Sequence, residues 1–591
     1  MAFSGTPLGV VAGPGTGKTY SVIKRLEHII KNDLADPEKV LVLCYSRSAV
    51  HVIQSRLELA IAEGRIPDTA RALYPSIRTF DSFVTYMLSG DESAGITLNT
   101  LDYDQRIEKF MNEFKHHPDT LDGLEFLIVD EMQDIVSVRA RMVMDILQNI
   151  KCGFLLLGDK CQAIYDFSVK DENEINSYKY YKWLERGFAT DVQGYELTEN
   201  KRQRKDLASL TNNIREAILE DCITKQNEAM TYCVRSLDTI GNIKSMHKKE
   251  FENINAILCR NNAMVASVSE ELYSKGTNHI VTRDTRHVVI ATWLADLLSE
   301  YSEKKLGYSV FTESVRTLGY VDPDEKWNAL KTVEGDNLNE RVLDIKLMIR
   351  NLLALRKLPD ELDGSQKHTL MVSTIHSAKG KEFDNVLLVK NDFESEFDDT
   401  NEVRVGYVAS TRGKHSISFL DTDKLYVKKL DSGRLIGTGR YGQYKAKRSF
   451  CKNIIVGRNG DVDYTSFVDN YNDNIYVDNV FTDAKEKQEY IKKMKPGDVL
   501  EAYLEDDGIY YLYNKGYCIG SLTRMFSNDM RAAMQKTNKS PNLPTHLFDI
   551  RCTNVVTIVS TNYYGNINEI YNKSGIWLGV EVHGFAKTHW E

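Results

Sequence analysis

The run Val10-Val11-Ala12-Gly13-Pro14-Gly15-Thr16-Gly17-Lys18-Thr19 constrains this chain more than any other stretch. It closes a short apolar run, Pro7 to Val11, and leads into Tyr20-Ser21-Val22-Ile23-Lys24-Arg25-Leu26, which has helical spacing. A strand, a glycine-rich turn and a helix start in that order suit a phosphate. Small residues let backbone N–H groups converge on the oxygens, and the helix N-terminus adds positive potential. Lys18 is then placed to reach the β- and γ-phosphates, and the Thr19 hydroxyl to hold Mg²⁺. Ala12 stands where the strict pattern has glycine. A glycine-rich turn before a helix can be a plain connection, but the Gly17-Lys18-Thr19 ending points to a nucleoside triphosphate cradled by Ala12, Gly13, Pro14, Gly15, Thr16, Gly17, Lys18 and Thr19.

At 591 residues the chain has room for about four domains of roughly 150 residues each. A net charge of −9 does not advertise a nucleic-acid binder, yet an acidic enzyme can carry a local basic track. The nine cysteines lack any Cys-x-x-Cys or Cys/His spacing, which suits a reducing cytosol and argues against a zinc site or a disulfide framework. No apolar run approaches the ~18 residues of a membrane span, and no export leader is visible, so a cytoplasmic protein is expected.

Along the chain, Val40-Leu41-Val42-Leu43-Cys44 reads as a strand buried on both faces of a parallel sheet, followed by a helix from Ser48 to about Ala62. Ile77 to Phe83 reads as a strand end entering another helix, and residues 91–122 as a small polar helical insertion. Phe126-Leu127-Ile128-Val129 then ends in Asp130-Glu131-Met132-Gln133-Asp134. Acids after an apolar run are often a solvated loop. About 110 residues beyond a phosphate loop, however, they stand where ligands bind in open α/β sheets. Asp130 is then the Mg²⁺ ligand, and Glu131 the group that orients and deprotonates water.

Phe154-Leu155-Leu156-Leu157-Gly158-Asp159 and the following Lys160-Cys161-Gln162-Ala163-Ile164-Tyr165-Asp166-Phe167 complete a recognisable series. AGPGTGKT, TFDSF, DEMQD and GDKCQAIYDF, in that order, resemble the UvrD/Rep-type helicases of superfamily 1. Further matches are Leu197 to Gln203, Ala256 to Ala263, Val372 to Phe383 and Gly406 to Lys414, so the resemblance spans about residues 7–420. It implies an α/β chain with two RecA-like parallel-sheet domains (1–196 and 197–430) carrying short helical insertions at about 85–122 and 291–368. ATP lies between the domains and single-stranded or tailed duplex DNA across them. Both insertions are short for the family, and the second, with Trp293 to Leu298 and Val342 to Leu355, reads helical.

Carried over residue by residue, the resemblance makes Gln162 the γ-phosphate sensor, Arg202 and Arg412 the two arginine fingers from the second domain, and Glu382 the ribose contact. DNA contacts fall at Tyr45, Phe80, Phe167 and His376. Three positions depart from the pattern: Ser168 replaces an arginine, Arg47-Ser48 replaces Asn-Lys, and Lys201 replaces the tyrosine that stacks on adenine. The expected activity is an ATP-dependent 3′–5′ DNA helicase or translocase with ATP and Mg²⁺, in repair, recombination or anti-phage defence. The alternative is an ATPase switch that regulates a partner nuclease with little unwinding of its own.

Residues 424–452 change character. Lys424, Lys428, Lys429, Arg434, Arg440, Lys445, Lys447, Arg448 and Lys452 are interleaved with Tyr426, Tyr441, Tyr444 and Phe450. Cations for phosphates and rings for bases are what single-strand binding needs; a basic linker over 431–452 is the plainer reading. From 453 to 591, segments such as Val499 to Leu504, Gly508 to Tyr513 and Gly516 to Gly520 read as strands between turns, giving a C-terminal β-rich domain. The stretch GYCIGSLTRMF weakly resembles HIRAN-type modules; a β-module that contacts a partner is the other reading.

One prediction follows from the departures. The family reads adenine through a glutamine ahead of the phosphate loop, yet the first glutamine here is Gln54, and Lys201 offers no ring to the base. One hydrogen bond is worth about 0.5–1.5 kcal/mol net. GTP is therefore expected within about tenfold of ATP in kcat/KM, measured on the isolated protein; a hundredfold preference for ATP would reveal an adenine pocket built from other residues.

Overall fold

The computed structural model describes residues 8–89, 101–166, 169, 171, 174–187, 193–282, 289–335, 339–355, 358–365, 370–393, 397, 399–441, 448–469, 471–472, 481–537, 542–561 and 567–590. It holds two parallel α/β sheets and a large antiparallel sheet. The chain divides into two compact units. The first comprises 1–239, 378–388 and 392–419; the second comprises 240–377, 389–391 and 420–591. Helices Lys205–Leu219 and Ile223–Ser236, expected beyond a boundary at 196, thus belong with the phosphate loop.

In the first unit a six-stranded sheet runs in the order Ile77–Thr79, Val40–Cys44, Phe126–Val129, Gly153–Gly158, Leu8–Ala12, Gln193–Leu197. Every pairing is parallel. Parallel strands are covered by helices on both faces, so they read as continuous apolar runs; Val40–Cys44, Phe126–Val129 and Gly153–Gly158 are buried at every residue. All strands therefore deliver their carboxyl ends to one edge, where Gly13, Tyr45, Phe80, Asp130 and Asp159 follow in sequence. Local chemistry sets the helix starts. Ser46 accepts a hydrogen bond from Ala49 N at 3.2 Å to open helix Arg47–Ala62, and Thr79 does the same for Phe80–Leu88. The expected insertion contains helix Tyr103–His116, started by an Asp102/Gln105 capping box.

In the second unit, strands Ala256–Cys259, Met371–Thr374 and Ile280–Val281 pair in parallel. The insertion at 291–368 includes helices Trp293–Leu298, Tyr308–Thr317, Pro323–Glu334 and Ile345–Ala354. Val342–Asp344, expected to be helical, instead pairs antiparallel with Lys305–Gly307. Asp344 is the reason: its side chain accepts from Leu347 N at 3.0 Å, so the helix starts after it.

The C-terminal sheet has nine strands, in the order Val427–Lys429, Leu435–Tyr441, Arg448–Val456, Ile576–His589, His546–Val559, Val499–Leu504, Tyr510–Asn514, Tyr517–Leu522, Val462–Asp463. Residues 431–452, expected as a basic linker, thus supply two of its strands. The sheet is not independent of the insertion. Trp293, Leu294, Phe311 and Trp327 share one hydrophobic core with Leu500, Leu512, Ile519 and Trp577. Thr557 seals the join, accepting from Ala295 N at 3.3 Å and donating to Ala291 O at 2.7 Å.

Arg434 overturns part of the basic-track reading. It is fully buried, bonding Asp461 through two nitrogens, Asp529 at 2.7 Å and Ile455 O at 2.6 Å. Lys445, Lys447 and Tyr444 lie outside the described residues, as do the side chains of Arg440, Tyr441 and Arg448. Lys424, Lys428, Lys429 and Tyr426 are exposed. Removing one partner of a buried ion pair costs about 3–5 kcal/mol. Arg434→Met is therefore expected to lower the urea midpoint of the C-terminal sheet markedly, and Arg434→Lys to recover only part, because an ammonium cannot bridge both carboxylates.

Candidate nucleotide site

The phosphate loop leaves strand Leu8–Ala12 and enters helix Lys18–Lys31. Two glycines make the turn, Gly15 at φ +71° and Gly17 at φ +99°. At Gly15 a β-carbon would also lie 2.4 Å from Arg202 Cβ and Asn200 Oδ1, so neither the angle nor the space admits a side chain. Lys201 N donates to Gly15 O at 2.9 Å, locking the 200–202 segment onto the loop. Thr16 Oγ1 donates to Gly13 O at 2.8 Å and Lys18 Nζ to Ala12 O at 3.2 Å, which curls the lysine back over the loop. The first turn of the helix carries no acid, leaving its amide end open to an anion.

Across the loop stand the acids. Lys18 Nζ lies 3.8 Å from Glu131. Glu131 sits at φ +53°, a left-handed conformation uncommon for a residue with a side chain and of the kind found at functional turns. Its N–H donates to Asp130 Oδ1 at 2.9 Å. Burial and then the Glu131 charge push the Asp130 carboxyl up to about 7. Burial also opposes charge on Glu131, but Lys18 and Lys379, with the Gln133 amide and Arg412, outweigh it and hold that carboxyl below its ordinary value. Asp134 is pushed up to about 7 by burial, against the opposing Lys379. The buried Asp130 carboxylate and the Thr19 hydroxyl of the phosphate loop are hard oxygen donors of the kind Mg²⁺ takes. Among the described residues no group of three or more His, Cys, Asp or Glu forms a separate metal cluster.

The segment 159–166 gathers the remaining groups. Gln162 is buried and donates to Asp159 Oδ2 at 2.8 Å. Arg412 Nη2 donates to Thr411 Oγ1 at 2.7 Å and stands 3.5 Å from Gln162 Oε1, while Nε donates to Val408 O and Nη1 to Lys381 O. Burial and then the Arg202 charge depress the Arg412 guanidinium to about 10. Arg202 pairs with Glu382 at 2.5 Å, so the expected ribose contact carries an ion pair here. Both arginines, expected to come from a second domain, belong to the same compact unit as Lys18. Their contacts to the Gly15 segment, Gln162 and Lys381 explain that.

Two groups went unassigned in the sequence. Lys379 Nζ bonds Asp134 and donates to Gln162 O at 2.6 Å; burial lowers its pKa, against Asp134 and Glu131. Gln133 is fully buried, its amide nitrogen on Glu131 and its oxygen accepting from Asp159 N at 2.9 Å. Lys379 was legible only as a cation inside a motif, since its partner lies 245 residues away. For Gln133 the signal was its place between two acids.

The expected DNA-contact residues fare unequally. Tyr45 is half-buried at the sheet edge, its ring 5.1 Å from that of Tyr165, which Lys379 Nζ also approaches at 5.1 Å. Phe80 is a correction: it is 1% exposed and packs with Leu41, Leu43 and Phe83, so its ring offers no face to a base. Phe167 and Ser168 lie outside the described residues. His376 is half-buried after strand Met371–Thr374 and belongs to the other unit.

Residues 1–168 match the AAA domain family and residues 369–419 the UvrD-like helicase C-terminal domain family. Gabija protein GajB of Bacillus cereus (strain VD045) is 24% identical over 479 residues, covering 71% of this chain and 93% of that protein. Among solved structures, Pif1 helicase from Candida albicans covers 71% of this chain and 92% of its own at 13% identity, with a TM-score of 0.35, too low to bear on the fold.

The geometry makes Gln133 a positioning group for Glu131. Outer groups of this kind typically contribute about 10–100-fold. Gln133→Ala is expected to lower kcat for ATP hydrolysis by that factor with little change in KM, read in steady-state kinetics. An equal fall in nucleotide affinity would place it in binding instead.

Proposed function

We propose that this chain, whose likeness to the AAA domain, the UvrD-like helicase C-terminal domain and Gabija protein GajB supports a UvrD/Rep-type superfamily 1 helicase, is an ATP-driven motor on single-stranded DNA that moves 3′ to 5′. The observation that carries this reading is the convergence of Lys18, Glu131, Gln162, Arg202 and Arg412 around one loop, with Lys379 tying Asp134 to the Gln162 segment. Charge that develops on the γ-phosphoryl group must be met by preorganised cations. Lys18, Arg202 and Arg412 are that set. Mg²⁺, held by Thr19 and Asp130, would offset charge on the phosphate oxygens. Glu131, kept ionised by Lys18 and Lys379, is the group to take a proton from water.

On the DNA side, Tyr45 at the sheet edge of the first unit is a ring that a base can stack on. The likeness to Gabija protein GajB favours anti-phage defence as the setting. A second reading, an ATPase switch acting on a partner nuclease, draws on one observation. The insertion that would serve strand separation is spent on a core shared with the C-terminal sheet.

The deciding experiment compares unwinding of 3′-tailed and 5′-tailed duplexes with ATP hydrolysis measured alongside. Unwinding of the 3′-tailed substrate alone is expected. DNA-stimulated hydrolysis without unwinding of either would select the switch. In the same assay Glu131→Gln is expected to bind ATP yet hydrolyse it about 10²–10⁴-fold more slowly; near wild-type turnover would reassign the base.

A further inference from the structure

Helix Ser177–Gly187 has two unlike faces. Ser177, Tyr180 and Tyr181 are buried. On the other side Tyr178, Lys179, Lys182, Arg186 and Gly187 are exposed and, with the half-buried Trp183, line a shallow cleft with no acidic side chain in its wall among the described residues. Residues at i, i+4 and i+8 stack along one helix face. Tyr178, Lys182 and Arg186 therefore form one row, with Lys179 and Trp183 beside it. Lys182 Nζ sits 4.4 Å from the Tyr178 ring centre, and Lys179 Nζ donates to Glu174 O at 3.1 Å. In a chain of net charge −9, three cations between two rings form a local anion-attracting surface. Rings that offer faces as well as cations suit unpaired bases on a phosphate backbone rather than an acidic peptide.

The helix is also fastened at both ends to the segment that carries Gln162. Asp166 accepts from Ser177 N at 2.9 Å and Ser177 Oγ at 2.7 Å. At the other end Glu185 pairs with Lys160, whose ammonium lies 5.1 Å from the Tyr181 ring centre. Lys160 and Asp166 bracket Gln162 in sequence. A ligand on the outer face thus presses on an element anchored on either side of the candidate γ-phosphate sensor.

We propose that this helix face is a second binding site for single-stranded nucleic acid, separate from the sheet-edge track, and that its occupancy is passed to the Gln162 segment through Asp166 and Lys160. The passage to ATP turnover rests on the proposed motor reading; binding to the face does not.

The test uses the full chain with fluorescent oligo-dT of 12 and 40 nucleotides. Lys182→Gln/Arg186→Gln removes two phosphate contacts, so the slope of log affinity against log salt for the 40-mer is expected to flatten by about 1.4, at ~0.7 per contact. Tyr178→Ala is expected to weaken the 40-mer about tenfold through lost stacking. Hydrolysis stimulated by the 12-mer should stay unchanged in both, while the extra stimulation by the 40-mer should fall in these variants and in Glu185→Gln. Far-UV circular dichroism checks that the helix persists, and Lys182→Arg should retain the wild-type slope. An unchanged slope in the double variant overturns the site. The same holds if the variants bind the 40-mer normally but lose affinity for polyglutamate, which would make the face a protein-docking surface. Unchanged 40-mer stimulation in Glu185→Gln overturns the link. If the wild type shows no DNA-stimulated hydrolysis at all, the motor reading fails, while the salt slope still reports on the helix.

Discussion

The structure depends on keeping three carboxyl groups together at one strand end, Asp130 and Asp134 buried and Glu131 half-buried. Asp130, Glu131 and Asp134 follow one strand end within five residues, where burial alone would drive each toward its neutral form. Lys18 and Lys379 approach from distant parts of the sequence and resolve the conflict unequally: Glu131 stays ionised while its neighbours are pushed up. That inequality gives adjacent acids different roles, one ready to take a proton and one awaiting a cation. Lys379 and Asp134 touch, yet burial moves both away from their charged forms. A buried pair of this sort is a weak source of stability. Its contribution is positional, holding residue 379 against Gln162.

Segment 159–166 is where that positional order converges. Asp159, fully buried, orients Gln162 and stands 3.7 Å from Arg215, which in turn pairs with Glu196. Lys379, Arg412 and helix 177–187 each hold a different atom of the same short stretch. Several distant segments thus hold direct contacts to the short stretch around Gln162.

The second unit uses its residues for solidity. Arg551 bonds Glu270 at 2.7 Å and Gly497 O at 2.9 Å, while helix Asn262–Ser274 packs Ala263 and Ala266 against Ile455. With the insertion sharing the core of the nine-stranded sheet, strands from 427 to 589 and helices from 293 to 354 form one packed body. Cations such as Arg434 that looked free for a ligand serve as its internal struts.

By itself the sequence determined whatever depends on neighbours in the chain. The phosphate loop, the apolar runs of parallel strands, the acids at a strand end and the turn-separated C-terminal strands were all legible, because backbone geometry and burial of a run are local. The order of motifs carried the family. What only the tertiary structure decided concerns partners far apart in sequence. Phe80 became a core ring because a second layer of helices covers it, and Arg434 became a strut because Asp461 and Asp529 close around it. Lys379 joined the site because Asp134 lies 245 residues away, and the expected linker became strands because an open sheet edge was there to be paired. A side chain's type states what it can do; which atoms surround it, and so whether its charge is solvated, paired or shifted, is set only when distant segments meet.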